Sequence, residues 1–206
     1  MTSYKSQSGQ DKFVLHCTKY KKNGTFLEIG SNDPKNINNS YILEKEYNWR
    51  GIMVEYDSKW LESYKMIRPN SYHIIQDATT INYAEELVNA NMPTNIDYLQ
   101  IDLEVSNNST LQTLIKLDKE LFDTYTFGVV TFEHDIYAGN YYNTREISRS
   151  IFEKRGYVRV FSDICNESNP FEDWYVHPSL VDMNYIRTFA EPNGSYEYTY
   201  IINKLT

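Results

Sequence analysis

What the sequence lacks narrows it first. Cys17 and Cys165 are the only cysteines among 206 residues. Two thiols so far apart make neither a disulfide framework nor a zinc-ligand spacing, and they read as reduced thiols. No apolar run approaches the roughly 18 residues of a membrane span. The polar start, MTSYKSQSGQDK, has no apolar signal-peptide core. The expected setting is therefore the cytoplasm, or the host cytoplasm for a viral chain. Basic charge is scarce too: 20 Lys and Arg stand against 28 Asp and Glu, a net charge of −8. That leaves no general basic face for nucleic-acid phosphates. Internal repeats, low-complexity tracts and linkers are also missing, so a lead-in over residues 1–24 and one domain over 25–206 are expected. A chain of this length buries roughly 70% of its unfolded surface and needs no disulfide or metal to fold. Tyrosine, by contrast, is abundant, with 19 copies. Its apolar body and polar tip suit a carbohydrate-like surface, and biased codon usage explains it equally well.

Thr25-Phe26-Leu27-Glu28-Ile29 is an apolar run stopped by Gly30. Ile52–Val54, Tyr72–Gln76, Ile96–Ile101 and Phe127–Phe132 repeat the pattern, and each predicts a buried strand. Helical spacing lies between them, over 38–47, over 58–66, from Thr80 with Ile81, Ala84, Leu87 and Val88 inward, and over 109–117. Asn143, with Glu146 three residues on, reads as the cap of a helix that buries Ile147, Ile151 and Phe152 and ends at Gly156. Tyr157–Phe161 predicts a sixth strand, Trp174–Val176 a seventh and Glu197–Ile202 a further one. Nearly all-apolar strands alternating with helices predict an α/β, Rossmann-like domain, a mostly parallel seven-stranded sheet with helices on both faces. In such sheets ligands sit at the carboxyl ends of the strands, where strand order reverses. Every strand end here carries a carboxylate: Glu28 before Gly30, Glu55, Asp77, Asp102 with Glu104, and Glu133 with Asp135.

Gly30 lets the backbone turn tightly beside a ligand. Glu55, 25 residues on, can accept hydrogen bonds from both hydroxyls of a ribose. A tight turn beside a solvated acid is the alternative. A dinucleotide site needs three glycines in G-x-G-x-x-G against a pyrophosphate. Here Gly30-Ser31-Asn32-Asp33-Pro34-Lys35 has one glycine, flanked by the acids Glu28 and Asp33. S-adenosylmethionine (SAM), with an ammonium and a sulfonium, suits those acids better.

Three stretches then resemble the N-terminal half of FkbM-type methyltransferases: Gly24 to Asp33, Asn39-Ser40-Tyr41-Ile42-Leu43-Glu44-Lys45, and Trp49 to Glu55. Ile96 to Glu104 is similar to that family's fourth-strand motif, and the resemblance spans roughly residues 24 to 180. It implies a class I methyltransferase fold, SAM as methyl donor and, often, a sugar hydroxyl as acceptor. By that resemblance Glu28, Gly30, Asn32 and Ser40 line the methionine part of SAM, Glu55 holds the ribose, and Asp77 with Ala78 lies near adenine. Ser31, Asp33, Tyr56, Asp102 and Leu103 complete the cofactor side. Pro34 and Val105 stand where the family commonly has glycine.

On the acceptor side, a hydroxyl attacking a sulfonium must lose its proton to a positioned base. His134 is the first candidate, since imidazole titrates near neutrality, with Asp102 and Asp135 beside it. An oriented, non-catalytic histidine is the alternative. Asp102, Glu133 and Asp135 could instead hold Mg2+ or Ca2+, lowering the hydroxyl's pKa and orienting a diol. Strand alternation lets Glu133 and Asp135 converge more easily with each other than with His134. Glu104, Tyr137, Tyr142, Asn143, Arg145, Asp173 and Trp174 are the expected acceptor contacts, in segments read as loops rich in aromatic and amide groups. The expected activity is O-methylation of a carbohydrate, such as a deoxyhexose like rhamnose in a glycan. The alternatives are a lipid, polyketide or other small-molecule acceptor, or a non-catalytic SAM-binding module of a larger multidomain glycan-synthesis protein.

Overall fold

The computed structural model describes residues 3–205. Strands β1 (Thr25–Ile29), β2 (Arg50–Glu55), β3 (Tyr72–Ile75), β4 (Asn95–Ile101) and β5 (Thr126–Glu133) run parallel. β6 (Val158–Asn166) and β7 (Asn169–Val176) form a hairpin, with β7 antiparallel between β5 and β6. Among the described residues this makes a seven-stranded sheet in the order β3-β2-β1-β4-β5-β7-β6. The order reverses between β1 and β4, so a crevice opens at their carboxyl ends.

Helices cover both faces because the strands are apolar on both. On one face α4 (Tyr83–Asn89), α5 (Ser109–Glu120) and α6 (Tyr142–Lys154) bury Leu87, Leu114, Leu117 and Phe152 against Leu27, Ile29, Ile101 and Phe132. On the other face α1 (Gln10–Cys17), α2 (Tyr41–Tyr47), α3 (Leu61–Ile67), α7 (Met183–Ile186) and α8 (Tyr198–Lys204) cover Phe26, Met53, Tyr98 and Trp174. Each such fully buried large apolar side chain stabilises the fold by about 1.5–3 kcal/mol. Among the described residues no helix is long and apolar enough to cross a membrane.

Four expectations change. Glu197–Ile202 is not a strand: α8 occupies it, because Tyr198, Ile201, Ile202 and Leu205 recur at helical spacing and Ile201 and Leu205 are fully buried. Segment 171–175 is not a loop but the middle of β7. Its polar Glu172 and Asp173 are buried and partnered, and Glu167 and Ser168, with φ of 53° and 65°, make the two-residue hairpin turn. Asn143 lies inside α6 rather than capping it. Ala84, Val88 and Ile147 face outward; Tyr83 and Leu87 of α4 and Thr144, Ser148 and Phe152 of α6 are the buried members.

The lead-in is also structured. Asp11 accepts hydrogen bonds from the backbone N–H of Lys5 (2.6 Å) and Ser6 (3.1 Å) and from the Ser6 hydroxyl (2.6 Å). Phe13, Val14 and Leu15 of α1 are fully buried. The chain before α1 is thus held against that helix, and its Gln7 reaches the crevice.

Candidate functional site

Register builds the floor of the crevice. Glu28 of β1 pairs with Gln100 of β4, and Gln100 with Thr131 of β5. Neighbours in register point the same way, so a polar row crosses an otherwise apolar sheet. Above it lies a trough with three connected compartments. The central one, about 390 Å³, is lined by Glu28, Gly30, Asn38, Asn39, Gln100 and Asp102, among others. Leu103 and Glu104 are shared with a second compartment of about 480 Å³ that includes Tyr56, Asp77 and Ala78. Gln7, Glu133 and Asp135 are shared with a third of about 80 Å³, closed by Tyr137, Asn166, Asn169 and Phe171.

At the β1 end, Gly30 has φ +88° and lies close against the next strand. The buried Glu28 carboxylate accepts from the backbone N–H of Ser40 (3.0 Å) and from Asn38 Nδ2 (3.2 Å). Burial raises its pKa, against the pull of Arg68 and these bonds. Arg68, itself fully buried, donates to Glu44 (2.8 Å), Asn38 Oδ1 (2.9 Å) and Ser40 Oγ (2.8 Å). One guanidinium therefore ties α2 and the loop after β1 to the site. Ser40 stands behind Glu28 instead of lining the trough. Ser31 lines it, its hydroxyl turned back to the Glu28 carbonyl. Asp33 lies outside, accepting from the N–H groups of Lys35 and Asn36 in its own turn. Glu55, at the rim, accepts from the backbone N–H of Asn32 (2.8 Å), Tyr56 (2.8 Å) and Asp57 (2.9 Å), which sets its carboxylate at the mouth. Asp77 is held by Thr79 at 2.9 and 2.7 Å, which lowers its pKa.

The side-chain oxygens of Gln100 and Asn39, on residues 3% and 4% exposed, have no hydrogen-bond partner and are sealed from solvent. A buried polar atom left unpaired costs about 1–3 kcal/mol.

At the β4 and β5 ends Asp102 and Glu133 line the same crevice, and burial raises the pKa of Asp102. Burial, then the charge of Asp102, pushes Glu133 well above the carboxylate range. Asp135, half-buried beside them, is pushed up to about 6 by burial and by Asp102. Behind them Glu172, in register with Glu133, accepts from Trp174 Nε1 (2.7 Å) and Gln10 Nε2 (3.0 Å), and burial pushes it up to about 8.

His134 is not in the trough. It follows Phe132 onto the opposite face, where it is fully buried, 3.6 Å from both Asp163 and Asp173. Arg149 clamps Asp173 (2.7 and 2.9 Å) and Asp163 (2.9 Å), and Arg145 adds 3.1 Å to Asp163. Asp173 and Arg145 thus belong to this cluster and not to the acceptor wall. Burial raises the pKa of Asp173, but His134 and Arg149 more than offset it and hold it far below the usual range. Trp174 is core, stacked on Phe13 with centroids 4.6 Å apart. Tyr142 is exposed, and neither it nor Asn143 lines the trough. Tyr137 and Glu104 do line it, as expected.

The metal expectation also shifts. Among the described residues the three ligand atoms within 4.8 Å of one another belong to His134, Asp163 and Asp173, not to Asp102, Glu133 and Asp135. The former set is neutralised by two arginines, and the latter does not bring three ligand atoms within 4.8 Å of one another. Neither donor set fits Mg2+ or Ca2+.

Sequence reasoning missed Gln7, Asn38, Asn39, Gln100, Arg68, Asn166 and Asn169. Gln100 had a readable signal, an amide inside a strand that is otherwise apolar around it. Gln7 and the Asn166/Asn169 hairpin had none, because only the fold brings them to the trough.

No protein-family model matches the chain, and no curated protein matches it in sequence. Solved structures do match in shape. A candidate O-methyltransferase from Klebsiella pneumoniae superposes with TM-score 0.57 at 9% identity, over 86% of this chain and 83% of that one. The cofactor-bound Rv0187 from MTB gives 0.57 at 14%, over 85% and 83%. A candidate rRNA methylase from Clostridium thermocellum gives 0.52 at 12%, over 85% and 99%. The fold is the Rossmann-like fold of these class I methyltransferase structures.

Proposed function

We propose that the chain is a SAM-dependent methyltransferase that methylates a hydroxyl of a polyol, carbohydrate-type acceptor. The observation that carries this reading is the acid-lined trough at the switch point, where Glu28, Gly30, Glu55 and Asp102 line one cavity. A pyrophosphate would meet carboxylates there, whereas an ammonium and a sulfonium meet acceptors. When bound, SAM supplies a methyl carbon on a positively charged sulfur, an electrophile that needs no acid catalyst.

Glu28, Asn38 and Asn39 hold the amino-acid end. Glu55 takes the ribose hydroxyls with the lone pairs its three N–H donors leave free. Tyr56, Asp77, Ala78 and Leu103 enclose the base. Asp135 borders both the central and the small compartment, and a carboxyl titrating near 6 is ionised at neutral pH. It accepts the acceptor hydroxyl's proton as oxygen attacks. Tyr137 and Phe171 offer aromatic faces, and Asn166 and Asn169 amides, to a hydroxyl-rich ring. A lipid acceptor would find little apolar surface in that compartment.

The test is thermal unfolding with S-adenosylhomocysteine and, in parallel, NAD. At about 100 times its dissociation constant the ligand adds about 2.7 kcal/mol, raising Tm by about 5–10 °C. A rise with S-adenosylhomocysteine alone supports the reading. Absence of that rise overturns it.

A further inference from the structure

Between β1 and α2 the chain makes a turn that is pinned on both sides. Asp33 accepts from the backbone N–H of Lys35 (2.8 Å) and Asn36 (2.7 Å). Asn38 donates to Glu28 (3.2 Å) and to the Ser31 carbonyl (3.0 Å), and accepts from Arg68 (2.9 Å). Ile37, held between them, has φ of 53°. Among the described residues it is the one β-branched residue with a positive φ, a region where a β-branched side chain is a genuine outlier. Strain of this kind persists only where the surroundings fix it, and it gathers at ligand clamps. A second observation is independent of the backbone. The Ile37 side chain is 67% exposed and belongs to neither hydrophobic cluster, so no packing within the fold offsets the strain. It lines the central compartment, where Leu103 is the only other large apolar residue among those described, and it lines neither of the other two.

Resting on the methyltransferase reading, we propose that Ile37 is a cofactor contact that selects for the amino-acid tail. Its side chain packs on the methylene carbons between the sulfur and the carbon that bears the ammonium. Glu28, Asn38 and Asn39 meet the charged end of that tail, and Leu103 lies at the base. The methylenes between them would otherwise face polar groups and water. Covering them removes apolar surface of both partners from water. The pinned turn holds the side chain over the cavity before the ligand arrives, so little ordering entropy is lost on binding. The strain is carried by the free protein.

The experiment titrates the full chain with S-adenosylhomocysteine and with 5′-methylthioadenosine, which keeps the adenosine and the sulfur but has no amino-acid tail. The parent, Ile37→Asn and Ile37→Leu are compared by calorimetry, with melting measured without ligand. Asn visits the left-handed region readily, so Ile37→Asn should melt no lower than the parent. It should bind S-adenosylhomocysteine about tenfold more weakly while 5′-methylthioadenosine changes by less than about twofold, since only the tail loses an apolar contact. Ile37→Leu keeps the apolar area and should hold S-adenosylhomocysteine within about threefold of the parent. Equal binding of S-adenosylhomocysteine by the parent and Ile37→Asn, or equal weakening of both ligands, overturns the proposal while leaving the cofactor reading intact. A lower melting temperature for Ile37→Asn without ligand makes Ile37 a residue of the fold and overturns it too. Failure of S-adenosylhomocysteine to bind the parent sinks the cofactor reading and the proposal with it.

Discussion

A β-carbon placed on Gly30 would lie 1.7 Å from the carbonyl oxygen of Asp102. The ends of β1 and β4 meet there with no room for a side chain, and the positive φ of 88° adds a second penalty for any L-residue. That close approach shapes the trough floor. Gly30→Ala is expected to destabilise the protein by about 3 kcal/mol or more, since backbone cannot move aside as a flexible side chain can. Urea unfolding of the variant measures it, and a loss under about 1 kcal/mol would show that the strand ends can part.

Arg68 organises the loop after β1 without touching the trough. Arg68→Met leaves the buried Glu44 with Lys45, at 3.7 Å, and the Ser71 hydroxyl, and removing one partner of a buried pair costs up to about 3–5 kcal/mol. The double variant Arg68→Met with Glu44→Met should recover most of that stability. Arg68→Lys keeps the charge but loses the fork that reaches Asn38 and Ser40 as well as Glu44. It should weaken S-adenosylhomocysteine by about tenfold, one lost charged hydrogen bond. An unchanged dissociation constant in the lysine variant would reduce Arg68 to a structural ion pair.

Glu172 should make stability depend on pH. Burial pushes it up to about 8 from 4.5, so the folded state holds its proton more tightly than the unfolded chain does. That contribution is fully present below about 4.5 and is lost as pH rises toward about 8. Glu172→Gln keeps an oxygen for Trp174 and Gln10 but cannot ionise. The variant should exceed the parent by about 1–3 kcal/mol at pH 8 and match it near pH 4.5. The same difference at both pH values would mean that the carboxyl does not titrate in this window.

Asp135 and His134 are neighbours in sequence with opposite expected phenotypes. Asp135→Asn should cut turnover by about a hundredfold or more, the range of a lost general base, with S-adenosylhomocysteine affinity retained. In the parent, kcat/KM should rise with pH through about 6 as Asp135 ionises, and the variant should lose that rise. His134→Gln should change turnover by less than about tenfold while lowering Tm, because its contacts are Asp163 and Asp173 on the far face. A profile unchanged in Asp135→Asn but flattened in His134→Gln would restore the histidine as base.

Much of the site was legible because strand ends announce themselves. Glu28, Glu55, Asp102, Glu133 and Asp135 each stand where an apolar run stops, and all line the trough. Local signals failed where a contact is made at a distance. Glu172 and Asp173 read as loop because two acids inside a strand are costly unless partnered, and their partners, Gln10 on α1 and Arg149 on α6, are invisible to spacing. The Tyr-rich stretch of α8 read as strand because aromatic residues favour strands, and burial of Ile201 and Leu205 against the sheet overrode that preference.

The sequence by itself determined the α/β alternation, the parallel strands, the single tight glycine turn and the ring of acids, since each depends on residues within a few positions of one another. The tertiary structure decided which acids face the ligand and which face Arg145 and Arg149. Successive side chains leave a strand on opposite faces, so Glu133 reaches the trough and His134 does not, while Asp135, past the end of β5 with φ of 47°, is brought to the trough by the turn. Which face becomes the site depends on where β1, β4 and β7 pair, a choice made by contacts across the whole chain.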